Sequence, residues 1–80
     1  MKISPTFYST IEMSLAAALL ARGIELHSMV PISPGRFSFV FDDNGTLETL
    51  SKMYWSHHLE VDALAFFESM KTLKSRVHSA

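Results

Sequence analysis

Apolar positions divide the 80-residue chain into a helix, a pair of strands and two further helices. Between Thr10 and Arg22 they occupy nearly every position, which predicts a helix that packs on more than one side. Ser9 and Glu12 have the spacing of a capping box, in which each side chain accepts a hydrogen bond from the other residue's backbone N–H. Gly23 predicts the helix end, because glycine readily adopts the left-handed conformation that closes a helix.

Alternation of period two follows this helix. It is loose in Ile24–Val30 and clean in Arg36–Phe41, where three phenylalanines fall on one face. Pro31–Gly35 is typical of a short loop, so the two segments predict an antiparallel hairpin. Arg36 beside alternate aromatic residues partly resembles an RNA-binding strand. We nevertheless expect the phenylalanines to face the core, because a two-stranded ribbon must bury one face to be stable.

A second, short helix is predicted to end near Trp55. It follows the turn signal Asp42–Gly45 and is capped by Asn44 or Thr46. The turn resembles part of a calcium-binding loop, but the first and last ligands of such a loop are missing. The sequence therefore favours a turn and a helix cap over a calcium site.

The last predicted helix covers Ala63–Val77, with Asp62 as its N-cap. Acidic residues come early in it and basic residues late, as the helix dipole favours. Together these elements predict a single domain, residues 1–80, of the α+β class. Its predicted order is α-β-β-α-α, with the antiparallel hairpin packed on helices in two layers.

Composition narrows the class of protein. The chain is 48% hydrophobic and contains no cysteine, so neither a disulfide framework nor a thiolate metal site stabilises it. A net charge of −1 argues against strong polyanion binding. Lys2 and the apolar run Leu15–Ala21 outline a signal peptide, but Pro5 and Glu12 intervene and the run is too short to span a membrane. We therefore expect a cytoplasmic protein.

Candidate chemistry is sparse. The chain lacks a nucleophile motif and a phosphate-binding glycine loop, which predicts a protein that is not an enzyme and uses no cofactor. His57, His58, Glu60 and Asp62 are metal-ligand types, yet adjacent side chains diverge and no zinc spacing is present. No metal site is predicted.

Two kinds of binding remain. The preferred hypothesis is a protein-interaction or accessory module that associates with itself or another protein, either through strand edges or through the surface of Met29, Tyr54 and Trp55.

The alternative is weak nucleic-acid binding. Lys71, Lys74 and Arg76 form a basic patch in the last helix, and Arg36 could add to it.

Several strings together resemble a small family of uncharacterised bacterial, phage and environmental proteins. They are Phe7–Thr10, Leu15–Ala17, Arg22–Gly23, Arg36–Phe41, Val61–Asp62 and Lys71–Lys74. The resemblance covers most of the chain and implies a shared α+β architecture. It implies no activity and no site residue.

Overall fold

The structure, a computed structural model, describes residues 6–79 and contains three strands and three helices there. The elements are β1 (Phe7–Thr10), α1 (Met13–Ala21), β2 (Leu26–Ser33), β3 (Arg36–Asp42), α2 (Leu47–Trp55) and α3 (Ala63–Ser79). The predicted α+β class is confirmed. The predicted order α-β-β-α-α is wrong, because the order is β-α-β-β-α-α.

β1 converts the predicted hairpin into a three-stranded antiparallel sheet with the strand order β1-β3-β2. Phe7 pairs with Asp42 and Thr10 pairs with Phe39, so β3 is the central strand. Of the two hairpin strands whose edges were predicted for association, β3 therefore has both edges paired. β2 is an edge strand of the described sheet.

The predicted capping box is wrong, because Ser9 lies in β1. The Thr10 hydroxyl oxygen accepts a hydrogen bond from the Glu12 backbone N–H at 3.0 Å. The Ser14 hydroxyl donates to the Glu12 carboxylate, also at 3.0 Å. Glu12 is thus held in the turn after the strand, and α1 begins at Met13 rather than at Thr10.

The hairpin is longer than predicted. β2 continues to Ser33 instead of ending at Val30, so only Pro34 and Gly35 remain for the turn. Gly35 has φ of +75°, the left-handed region that glycine adopts without strain. Pro31 does not end β2, since edge strands tolerate a residue that cannot donate a backbone hydrogen bond.

The helices cover one face of the sheet. Phe39 and Phe41 enter the core from β3, at 2% and 0% exposure. They pack with Leu15 and Leu19 of α1, Leu47 of α2 and Leu73 of α3. The predicted core role of the phenylalanine face is confirmed for Phe39 and Phe41, whereas Phe37 is only partly buried.

Local signals fix the predicted helix ends. Gly23 has φ of +90° directly after α1, as predicted. The Asp62 carboxylate accepts a hydrogen bond from the Ala65 backbone N–H at 2.8 Å, which confirms it as the cap of α3. Before α2, Thr46 is the N-cap residue, as one of the two predicted alternatives, but it makes no side-chain cap hydrogen bond. The Asn44 side-chain oxygen accepts from the Thr46 backbone N–H at 3.1 Å, within the turn that precedes the helix.

Candidate interaction site at the hairpin tip

The hairpin extends beyond the rest of the sheet. β1 pairs only with residues 39–42 of β3, so residues 36–38 and their partners in β2 project past it. At about 3.3 Å per residue the projection is roughly 10 Å, without the turn. Burial decreases along the same direction, from Phe41 and Phe39, which are buried, to Phe37, which is partly exposed. The apolar face of β3 thus continues past the helices that cover it.

A solvent-open cavity of about 700 Å³ lies along this projecting part of the hairpin. Its walls begin at Met29, which pairs with Phe39, and include the paired residues Pro31 and Phe37. Ile32 and Pro34 line it towards the tip. Met29 and Phe37 also pack against the core, so the cavity continues the hydrophobic core outward. We call this surface the hairpin groove.

The hairpin groove is lined mainly by apolar side chains. None of the seven described residues that line it carries an ionisable side chain, and Ser33 supplies the hydroxyl of the set. Ile32 is 50% exposed although it is large and apolar. Such a lining suits the burial of apolar side chains and offers no acid, base or metal ligand.

The residues predicted for an interface separate into two places. Met29 lines the hairpin groove, paired with Phe39 in the sheet. Tyr54 and Trp55 lie at the end of α2, where their rings meet edge to face with centroids 5.0 Å apart. The Tyr54 hydroxyl bonds to the Ser14 hydroxyl and its ring packs on the core, while Trp55 is 59% exposed.

Sequence reasoning missed Ile32 as a surface residue and assigned Phe37 wholly to the core. A signal for the exposure of Ile32 was present in Pro31–Pro34, where it stands in a stretch bounded by two prolines.

The strand edges, the other predicted means of association, are poorly suited to pairing. β2 carries Pro31, and its register shifts once between Leu26 and Ser28 and again between Pro31 and Ser33. β1 is only four residues long. Prolines, irregularities and short strands are the features by which proteins protect sheet edges from other chains.

The predicted nucleic-acid contacts lie on β3 and α3. Arg36 is exposed at the start of β3, and Lys71, Lys74 and Arg76 are exposed on α3. At 3.6 residues per turn, Lys71 and Lys74 lie about 60° apart around the helix, whereas Arg76 lies about 160° from Lys74. Only the two lysines therefore share a face.

His27 and His58 make local side-chain contacts. A ring nitrogen of His58 lies 3.0 Å from the Ser56 hydroxyl oxygen. His27 lies 3.3 Å from the Asp42 carboxylate and 4.6 Å, centroid to centroid, from the Phe7 ring. Within residues 6–79, no three histidine, cysteine or acidic side chains are grouped so that they could hold a metal ion.

A family model described as a domain of unknown function, DUF5659, matches residues 6–79 and so takes in all six elements. The chain belongs to the DUF5659 family. This membership confirms the resemblance to a family without an assigned activity. No curated protein and no solved structure matches this DUF5659 chain.

In the part of the chain that the structure describes, none of the helices has the length and apolar character needed to cross a membrane.

Proposed function

We propose that this DUF5659 domain is a non-enzymatic accessory module of the cytoplasm that pairs with a second copy of itself through the hairpin groove. One observation supports the proposal above all. The phenylalanine face of β3 is buried under the helices at Phe39 and Phe41, but at Phe37 it is partly exposed and lines the hairpin groove. Apolar surface of this kind favours burial against a partner.

The geometry of the hairpin favours a second copy as the occupant. The projecting element carries both the groove and the half-exposed Ile32 at its wall. A two-fold interface uses the same patch twice, so an element with a groove and an apolar projection can match itself. The uncharged lining and the net charge of −1 introduce little repulsion between copies.

The size of the domain supports the same proposal. An 80-residue chain buries only about 60 to 65% of its unfolded surface, so its own core is small. Covering Phe37 and Met29 with a second hairpin would extend the core that Phe39 already occupies. Association would therefore add to the stability of the fold.

Replacing Ile32 with glutamate tests this proposal, because a buried, unpaired carboxylate opposes association. We expect the wild-type chain to sediment at twice its mass of 9.0 kDa at high concentration. Ile32→Glu should sediment at 9.0 kDa over the same range. Ile11→Glu is the matched control, since Ile11 is similarly exposed, at 56% against 50%, and lies outside the groove.

Two results would overturn the proposal. One is a wild-type chain that stays at 9.0 kDa even at millimolar concentration. The other is an Ile11→Glu variant that dissociates the dimer as completely as Ile32→Glu. Far-ultraviolet circular dichroism of both variants establishes that each is folded.

Weak nucleic-acid binding is the competing proposal. Lys71 and Lys74 on one face of α3 favour it, although two cations can neutralise only a few phosphates. Its test is a labelled DNA or RNA pool at low salt. Binding that weakens steeply with salt and is lost in Lys71→Ala/Lys74→Ala supports it, and no binding at low salt removes it.

A further inference from the structure

A second surface runs along α3, beside the face of the helix that packs into the core. Its members follow one another at alternating spacings of three and four residues and are all exposed: Leu64, Phe67, Lys71, Lys74 and His78. We call this set the α3 stripe. Spacings of three and four residues place side chains on one seam of a helix, as in helices that pair with a partner helix.

The domain makes no use of the α3 stripe for its own core. The buried side of α3 is built around Leu73, at 0% exposure, with Phe66, Met70 and Val77 packed beside it. On the stripe, by contrast, Leu64 is 64% exposed and Phe67 is 59% exposed. The Lys71 ammonium lies over the Phe67 ring, 5.5 Å from its centroid, so the basic and apolar parts of the stripe adjoin each other.

The chemistry of the stripe changes along its length. Its first half, Leu64 and Phe67, is apolar, and its second half presents Lys71 and Lys74. At 1.5 Å per residue the whole stripe is about 20 Å long, which equals about four turns of a facing helix. We infer that α3 binds a partner protein helix that is apolar at one end and carries aspartate or glutamate at the other.

Charge complementarity argues against a second copy of α3 as that partner. In a parallel pair, Lys71 and Lys74 would face their own counterparts, and like charges oppose association. In an antiparallel pair, the lysines would face Leu64 and Phe67 and lose hydration without gaining a carboxylate. The α3 stripe is therefore a surface separate from the self-association proposed for the hairpin groove.

A membrane surface is the less favoured occupant. A helix that lies in a lipid interface inserts a broad apolar face. The broad apolar face of α3 packs into the core around Leu73, and only Leu64 and Phe67 remain on the stripe. Two exposed apolar side chains followed by two lysines form a narrow surface. Such a surface suits contact with a single helix better than insertion into a bilayer.

A phage-displayed library of random 18-residue peptides, selected on the full chain, tests this inference. We expect the bound peptides to combine apolar residues at helical spacing with a net negative charge at one end. Against these peptides, Lys71→Glu/Lys74→Glu should lose at least about tenfold in affinity, because each lysine contact becomes a repulsion. Selection on that variant should return basic peptides instead.

A matched control keeps the change in net charge equal. Arg36→Glu/Arg76→Glu alters the same number of charges outside the α3 stripe, and its affinity for the selected peptides should stay within about twofold of the wild type. The inference is overturned if selection yields no peptides, if the peptides are neutral or basic, or if both double variants lose affinity equally. It is also overturned if Phe67-dependent binding is found to phosphatidylserine vesicles and not to peptides. All four substituted positions are exposed, and thermal unfolding checks the fold of each variant.

Discussion

Helices α1 and α2 end with the same pattern of backbone hydrogen bonds, but the residue in the left-handed conformation is a glycine in one and a histidine in the other. After α1, the Ile24 N–H donates to the Leu19 carbonyl at 3.0 Å, across Gly23 in the left-handed conformation. After α2, the His58 N–H donates to the Met53 carbonyl at 2.8 Å, and His57 takes the place of the glycine with φ of +68°. Both are Schellman motifs. The end of α2 near Trp55 was predicted, but the left-handed residue could be predicted only at Gly23, because a histidine gives no local signal of that conformation.

Exchanging these two residue types should change the free energy of unfolding in opposite directions. A side chain in the left-handed region costs about 1–2 kcal/mol relative to glycine. His57→Gly should therefore stabilise the domain by about 1 kcal/mol, and Gly23→Ala should destabilise it by a similar amount. Beyond the neighbouring residues of the chain, no atom lies within 4 Å of a Cβ added at Gly23, so the expected cost comes from the local backbone conformation alone. Urea denaturation measures both values, and a loss of stability in His57→Gly would mean that the His57 side chain contributes to the native state.

The secondary-structure elements depend to different degrees on local sequence. α2, α3 and the hairpin could be predicted, because their apolar spacing and turn residues act over short distances. β1 could not, because a four-residue strand has little pattern of its own and its partner is Phe39 to Asp42, far along the chain. In addition, Ser9 and Glu12 match a capping box, although Thr10 makes the bond that Ser9 was expected to make.

Burial decreases along β3 from Phe41 to Phe37, so alanine substitutions at these two positions should lower the free energy of unfolding by different amounts. Phe41 is 0% exposed in the core, so Phe41→Ala should reduce the free energy of unfolding by about 3–5 kcal/mol through lost burial and a cavity. Phe37 is only partly buried, and Phe37→Ala should cost clearly less in dilute, monomeric protein. Chemical denaturation at low concentration makes the comparison. If Phe41→Ala and Phe37→Ala reduced the free energy of unfolding equally, Phe37 would be as much a part of the core as Phe41, which would contradict this description of β3.

At the scale of the whole molecule, the two proposed binding surfaces arise from how the elements extend past one another. Met29 could be proposed for an interface from sequence, but the groove that it lines could not. The groove requires β2 to continue through Pro31 to Ser33 and β1 to stop short of the hairpin tip. The α3 stripe is likewise defined only once packing shows which side chains of that helix enter the core. Both surfaces therefore depend on contacts between residues that are far apart in the sequence.

Isotope-filtered nuclear Overhauser spectroscopy on a mixture of labelled and unlabelled wild-type chains tests the proposed self-association most directly. Only contacts between copies give signals in this measurement. We predict contacts from the Ile32 methyl groups of one copy to Phe37 and Met29 of the other, with the shortest at the hairpin tip. Contacts between copies that map instead to Leu64 and Phe67, or no such contacts at millimolar concentration, would contradict self-association through the hairpin groove.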